Sequence, residues 1–229
     1  MSRIIDGKAI SAAVKARIQS EVSALSARGI TVGLAVIIVG ENPASKIYVA
    51  NKKKACEALG IVSEEYALPE STTEQELLEL INTLNNKKSI NGILCQLPLP
   101  PHLDEKLIIN SIAPEKDVDA FNPYSVGRIM IGDYDFVPCT PAGIMEMLKY
   151  EGIEIAGKNC VVIGRSNIVG KPMEMLLLHA NGTVTVCHSK TKNLKEICRN
   201  ADILVAAVGK AKFVTGDMVK PGAVVIDVA

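Results

Sequence analysis

In the last third of the chain, short apolar runs recur at a nearly fixed interval. Cys160–Ile163, Val184–Cys187, Ile203–Ala207 and Val224–Val228 begin about twenty residues apart. Stretches of helical pattern, Pro172–His179 and Leu194–Arg199, separate the first three. Apolar runs this short, bounded by turn residues, read as buried strands. Strands that alternate with helices pair in parallel, because each crossover helix carries the chain back to its starting edge. A chain punctuated in this way folds as βαβ units, a parallel sheet wrapped by helices.

The first of these units carries the most telling turn. Its residues are Cys160-Val-Val-Ile-Gly-Arg-Ser-Asn-Ile-Val-Gly-Lys-Pro172. A strand ends at Gly164, a polar turn follows, and Gly170 and Pro172 open the next helix. Proline suits a first helical turn, where the N–H it lacks would be unpaired anyway. A strand that turns through glycine into a helix N-terminus presents free N–H groups, which with the helix dipole hold an anion such as a phosphate. The spacing departs from the usual G-x-G-x-x-G: Ser166 stands at the second glycine, and Gly170 comes one residue late. The Ser166 hydroxyl can itself donate to a phosphate, and Arg165 adds charge. Taken alone, the loop reads equally as a phosphate cradle or a plain tight turn.

After the second strand of an NAD-binding unit, an Asp or Glu usually meets the ribose 2′-hydroxyl. Here the residues are His188-Ser-Lys-Thr-Lys192. A carboxylate would repel a 2′-phosphate, whereas hydroxyls and cations attract one. A dinucleotide bound here would be NADP; the alternative is a polar loop with two solvated lysines.

The first half of the chain repeats the alternation. Residues 8–28 carry Ile10, Val14, Ile18, Val22 and Leu25 at helical spacing, and Val32–Val39 is a buried strand. A helix is expected from Ser45, as its cap, to about Leu59. Ile61–Leu68 reads as a strand. Thr73-Glu-Gln-Glu76 forms a capping box before a helix with Leu77, Leu80, Ile81 and Leu84. Ile90–Leu97 is a third strand, stopped by Pro98-Leu-Pro-Pro101. Leu103–Ile112 reads as a helix, residues 113–119 as a charged loop, and Phe121–Pro138 as a connecting segment with several turns. Thr140 is the expected N-cap of a further helix, with Pro141 at its first position.

Three polar positions stand out in this half. Tyr48 and Lys52 lie four apart and share a helix face that continues into Ala55 and Leu59, so Lys52 points inward or lays its stem along the core and snorkels to water. Gln96 closes an apolar strand at its carboxyl end, where open α/β sheets place ligands; it is a ligand contact or a sheet-end cap. Asp117 and Asp119 are solvated loop carboxylates or acceptors for a ligand's N–H donors. No His or Cys stands beside them in sequence, so no metal site is expected.

Composition bounds the rest. Zero net charge argues against nucleic acid as a partner. No apolar run reaches membrane-span length and the N-terminus lacks an apolar signal segment, so a cytoplasmic protein is expected. The six cysteines show no C-x-x-C spacing and read mostly as small core residues in a reducing compartment.

Several stretches, in order, carry a family resemblance: Tyr48-Val-Ala-Asn-Lys52, Gly92-Ile-Leu-Cys-Gln-Leu-Pro-Leu-Pro100, Asp117-Val-Asp119, Pro138-Cys-Thr-Pro141, Gly164-Arg-Ser-x-x-Val-Gly170-x-Pro172 and Thr185-Val-Cys-His-Ser-Lys190. The chain resembles the bifunctional methylenetetrahydrofolate dehydrogenase/methenyltetrahydrofolate cyclohydrolase family from end to end. The resemblance implies an α/β folate-binding domain, 1–138, and a Rossmann-type parallel-sheet NADP domain, 139–229, with the active site in the cleft between them. It also implies a homodimer and a place in one-carbon metabolism and purine biosynthesis. In that family the chain continues past this point with a Pro-Gly-Gly-Val-Gly-Pro segment and a final helix, so a shortened C-terminal domain is expected here.

Carried over by position, the resemblance makes Lys52 the key cyclohydrolase residue, supported by Gln96, with Tyr48 packed on the folate ring system and Asp119 holding the pterin. Gly164, Arg165, Ser166 and Gly170 meet the pyrophosphate and neighbouring phosphate. His188, Ser189 and Lys190 are candidates for the 2′-phosphate, Ser189 foremost. Hydride loss from methylenetetrahydrofolate leaves a stabilised cation and needs orientation and electrostatics more than a proton carrier. Water addition to that cation needs proton management, which an inward lysine supplies. Two other readings remain: a shikimate dehydrogenase-like NADP oxidoreductase, which gives no reason for the Gln96-Leu-Pro-Leu-Pro100 run, and a non-catalytic nucleotide-binding module.

Overall fold

The computed structural model describes residues 3–228. By internal contacts the chain divides into two compact units, Asp6–Ser125 and a second comprising residues 3–5 and 126–228. The sequence-based boundary at 138/139 falls inside the second unit, at the start of a helix.

In the first unit, helix α1 (Gly7–Ala27) starts on Asp6, whose carboxylate accepts from the Lys8 and Ala9 N–H groups at 3.0 and 3.1 Å. Strand β1 (Gly33–Val39) leads to helix α2 (Pro43–Leu59), then β2 (Val62–Leu68), α3 (Glu74–Asn86), β3 (Gly92–Cys95) and α4 (Glu105–Ser111). The strands pair in parallel in the order β2-β1-β3. Strand alternation sends Ala35, Ile37 and Val39 to one face, where Leu77, Ile81 and Leu84 of α3 bury completely. Val36 and Ile38 face the other way, against Val49 of α2. The Thr73 capping box is present in full.

Two expectations shift here. Ser45 does not cap α2: Pro43 occupies the first turn, Asn42 caps by accepting from the Ser45 N–H at 3.1 Å, and Ser45 is buried. The third strand is shorter than its apolar run and ends at Cys95.

The segment from Phe121 to Pro138 is more than turns, because it contains helix α5 (Pro123–Ile131). Proline at its first position and the Asn122 side chain, which accepts from the Tyr124 N–H at 2.9 Å, start it. Gly127 in its middle hides the periodicity.

In the second unit, helix α6 (Cys139–Tyr150) begins one residue before Thr140, with Pro138 at the cap position and no side-chain cap, so the expected Thr140 cap is not formed. Strand β4 (Asn159–Ile163), α7 (Gly170–His179), β5 (Thr183–Cys187), α8 (Leu194–Arg199), β6 (Ile203–Ala207) and β7 (Val224–Val228) follow. All pairs are parallel, in the order β5-β4-β6-β7. Cys160, Val162, Ile203 and Val205 pack beneath Ile144, Leu148, Met173 and Leu177, while Val161, Ile163 and Leu204 face Cys198 of α8. Five of the six cysteines are buried and Cys139 is exposed.

Both sheets reverse direction once. The chain passes from β1 to β2 on one side and returns with β3 on the other; it does the same from β4 to β5 and then β6. The gap at the carboxyl ends of the first and third strands of such a sheet is where ligands bind.

Candidate active site

At the reversal in the first sheet, α2 follows β1 and brings Lys52 to the end of β3. The Lys52 Nζ donates to Gln96 Oε1 at 2.8 Å. The side-chain amide of Gln96 is held through its Nε2, which donates to the Leu97 carbonyl at 2.7 Å, and its main chain is anchored by the backbone N–H, which donates to the Ile37 carbonyl at 2.8 Å, one residue beyond the strand. The Leu97–Pro98 peptide is cis. Lys52 is partly buried and does not run out to water as a snorkelling side chain would. Tyr48, one turn earlier on α2, is 61% exposed and offers its ring to solvent.

Asp119 completes the group. Its carboxyl is pushed up to about 6, chiefly by burial; the Lys52 charge opposes that rise and the Asp117 charge adds to it. Cys95, at the end of β3, is pushed up to about 12 by burial and by the nearby Asp119 and Glu105 charges. A buried thiol of that kind is inert. The structure thus brings an amine, an amide oriented by its neighbours and a proton-binding carboxyl to one strand end. Such a set can hold polar ring edges and move protons.

At the reversal in the second sheet, the site is made of backbone. Gly164 has φ +124°, and a Cβ there would lie 2.3 Å from the Ala207 carbonyl oxygen. A Cβ on Gly170 would lie 2.4 Å from the Gly164 oxygen. The Ser166 Oγ accepts from the Val169 and Gly170 N–H groups at 3.2 and 3.3 Å, which leaves its own O–H to donate outward. Arg165 is exposed beside it.

The loop after β5 is held by its own turn. The His188 N–H donates to Thr191 Oγ1 at 2.8 Å, and His188 Nδ1 accepts from the Lys190 N–H at 3.2 Å, so Nε2 is the ring's donor. Ser189 and Lys190 are exposed. A pocket of about 530 Å³ joins Gly164, Arg165, His188 and Ser189 to Thr191, Leu194, Lys210 and Phe213. Lys210 and Phe213 escape a reading of the sequence by motif. The strand-end rule finds them, because they lie in the loop after β6, at the same reversal.

Among the described residues, no group of three or more His, Cys, Asp or Glu side chains can hold a metal ion, and no helix is long and apolar enough to cross a membrane.

Residues 5–119 match the family model of the tetrahydrofolate dehydrogenase/cyclohydrolase catalytic domain, and residues 138–229 that of the NAD(P)-binding domain of the same family. The chain is 58% identical to a bifunctional protein FolD of Ruminiclostridium cellulolyticum, over 99% of this chain and 80% of the relative. It superposes on the crystal structure of the bifunctional enzyme FolD from Campylobacter jejuni with a TM-score of 0.96 at 49% identity, covering 99% of this chain and 81% of that one. It superposes on the Trypanosoma brucei FolD, solved with NADP cofactor and an inhibitor, with a TM-score of 0.92 at 39% identity, covering 98% and 77%.

Proposed function

The chain belongs to the tetrahydrofolate dehydrogenase/cyclohydrolase family, and we propose that its folate chemistry centres on Lys52 and its NADP site on the Gly164 turn. It is a bifunctional enzyme of one-carbon folate metabolism, an NADP-dependent methylenetetrahydrofolate dehydrogenase and a methenyltetrahydrofolate cyclohydrolase. The shikimate dehydrogenase-like and non-catalytic readings are not favoured.

The observation that carries the assignment is the Lys52–Gln96 hydrogen bond of 2.8 Å at a sheet reversal. Gln96, fixed by its own two bonds, aims the amine. The Lys52 amine takes up and releases the protons of water addition and ring opening. Asp119 accepts from the N–H edge of the pterin, and Tyr48 covers the ring system. Hydride transfer asks these residues only for orientation.

The second unit fits the cofactor. Gly164 and Gly170 let the turn close against the Ala207 and Gly164 carbonyls where a Cβ would clash, and Arg165, Lys190 and Lys210 bring positive charge to the turn and to the pocket region beside it. When bound, NADP supplies the oxidised nicotinamide that accepts the hydride. Arg165, Ser166 and the two glycines meet the pyrophosphate; His188, Ser189 and Lys190 meet the 2′-phosphate. We assign folate binding to domain 1–138 and NADP binding to domain 139–229.

The finer setting is also our proposal: a cytoplasmic homodimer that feeds purine biosynthesis and uses neither nucleic acid nor membrane as a partner. Five buried cysteines, zero net charge and the exposed apolar side chains Val126, Met130 and Ile131 on α5 support it.

Lys52→Met tests the reading. Cyclohydrolase turnover is expected to fall about 10²- to 10⁴-fold, the usual size of a lost proton carrier. Dehydrogenase turnover should fall much less. Equal losses in both assays would overturn the role given to Lys52.

A further inference from the structure

Asp117 is 2% exposed, an uncommon degree of burial for an acidic residue in a loop. Donors surround it. The Asn122 N–H reaches its Oδ2 at 2.8 Å and the Ser125 hydroxyl at 3.1 Å, and the N–H groups of Ala120 and Phe121 add to them. These donors span the turn that follows, through to the first residues of α5. Ala120 in that turn takes a left-handed backbone, φ +55°, which an alanine adopts only when its surroundings impose it.

The loop is fastened on its other sides too. The Asp117 backbone bridges in parallel to Ile93 of β3. Val118 fills the space a Cβ on Gly92 would need, 2.4 Å away, and packs on the cluster of Val36, Ile38, Val49 and Leu94. Asn122 donates to the Ile112 carbonyl at 3.2 Å, and Lys116 donates to the carbonyls of Leu84 and Lys87 at 3.0 Å each. In sequence, Asp119 sits between these anchors.

We propose that Asp117 is a positioning residue of the folate site, whose buried carboxylate gathers the donors of the 120–125 turn and thereby presents Asp119 beside Lys52. The inference rests on the role given to Asp119. Asp117 also acts through its charge. The charged groups that bear on Asp119 are Lys52 from α2 and Asp117 from its own loop; the Cys95 thiol of β3 beside it feels the Asp119 and Glu105 charges. Of these, Asp117 raises the proton affinity of Asp119 and Lys52 lowers it. Neutralising Asp117 therefore moves the Asp119 titration to lower pH.

Asp117→Asn keeps the shape and removes the charge. Its KM for methylenetetrahydrofolate is expected to rise about tenfold, the size of one hydrogen bond to a charged group, with a smaller change in kcat. NADP affinity, measured by calorimetry, should not change, because those residues lie in the other unit. The acid limb of the folate KM profile should move to lower pH. In an Asp119→Asn background the same substitution should have little further effect on KM, since it acts through the residue already removed.

A folded Asp117→Asn protein with unchanged folate KM and acid limb overturns the proposal. So does one whose KM rises by the same factor in the Asp119→Asn background. If Asp117→Asn does not fold, Ser125→Ala removes one donor and leaves the carboxylate; its KM should rise about threefold and show the same non-additivity. An Asp119→Asn protein with normal folate KM would instead remove the premise, a result distinct from an additive pair.

Discussion

In the first sheet the chain leaves β1 for β2 on one side, comes back with β3 on the other, and sets Lys52 and Gln96 at the gap. The second sheet makes the same excursion from β4 to β5 and back to β6, and sets Gly164 at its gap. The wiring is shared, but the filling differs. At the first gap the working groups are side chains held by other side chains: Lys52 by Gln96, and the Asp119 loop by Asp117. At the second gap the turn we assign to the cofactor is shaped by backbone: two glycines stand where a Cβ would clash, and the Ser166 hydroxyl accepts from the Val169 and Gly170 N–H groups. A site that handles protons on a folded ring system needs groups that titrate; a site for phosphates needs N–H groups brought close. The first kind should fail when chemistry changes at constant shape, the second when shape changes at constant chemistry.

The largest effect expected from that contrast is at Gly170. A single methyl there meets the Gly164 carbonyl at 2.4 Å, and neither partner is a flexible side chain. Gly170→Ala is expected to cost about 3 kcal/mol of stability, as overpacking does, and to weaken NADP binding along with it. Thermal melting and calorimetric titration of NADP read both. Folate binding by the other unit should persist. An alanine variant with normal melting and normal NADP affinity would break the comparison, since shape would then not be what the second site depends on.

The next effect sharpens it. At the position we propose for the 2′-phosphate, side-chain charge should decide. Ser189→Asp puts a carboxylate where the cofactor's extra phosphate would sit, so the kcat/KM ratio of NADP to NAD should drop about tenfold or more. His188 and Thr191 hold the turn by their own hydrogen bonds, so the substitution leaves the loop in place. An unchanged ratio places the 2′-phosphate against other residues, with Lys210 the nearest choice in the same pocket.

What could be read without coordinates follows the same division. Strands, the Thr73 capping box and the glycine turn are local signals, written in period and turn chemistry, and apart from the shortened third strand they appear where expected. The sharing of a helix face by Tyr48 and Lys52 and the strand-end place of Gln96 are local too. The bond between Lys52 and Gln96 joins residues 44 apart and depends on strand order, which no local pattern contains. In sequence Asp117 reads as a solvated loop acid or a ligand acceptor, because its donors come from a turn and a helix start that read as irregular chain. Once α5 is seen to begin at Pro123, the Asn122 and Ser125 donors have a reason to converge. Ser45 and Thr140 mislead because each helix starts before them: Pro43 opens α2 with Asn42 as its cap, and α6 opens at Cys139 with Pro138 in the cap position.

The smallest effect is the most discriminating, because it runs opposite to the first. Asp119 keeps its proton up to about 6, whereas an unfolded aspartate releases it near 3.8. Between these values the folded protein binds more protons than the unfolded chain, so stability falls as pH rises through the window and stays lower above it. The cause is burial of a charge, and an asparagine has none to bury. Asp119→Asn is therefore expected to be more stable than the parent at pH 7.5, by about 1 kcal/mol, a size common for substitutions that relieve a strained functional site. The advantage should shrink towards pH 4, where the parent's Asp119 is protonated in the folded state. Folate affinity should fall in the same protein. Melting temperatures of the pair across pH 4 to 8 test this. A variant that is no more stable at pH 7.5, or whose advantage does not depend on pH, would mean that Asp119 is not held at a cost to the fold; the first site would then be built on the same terms as the second.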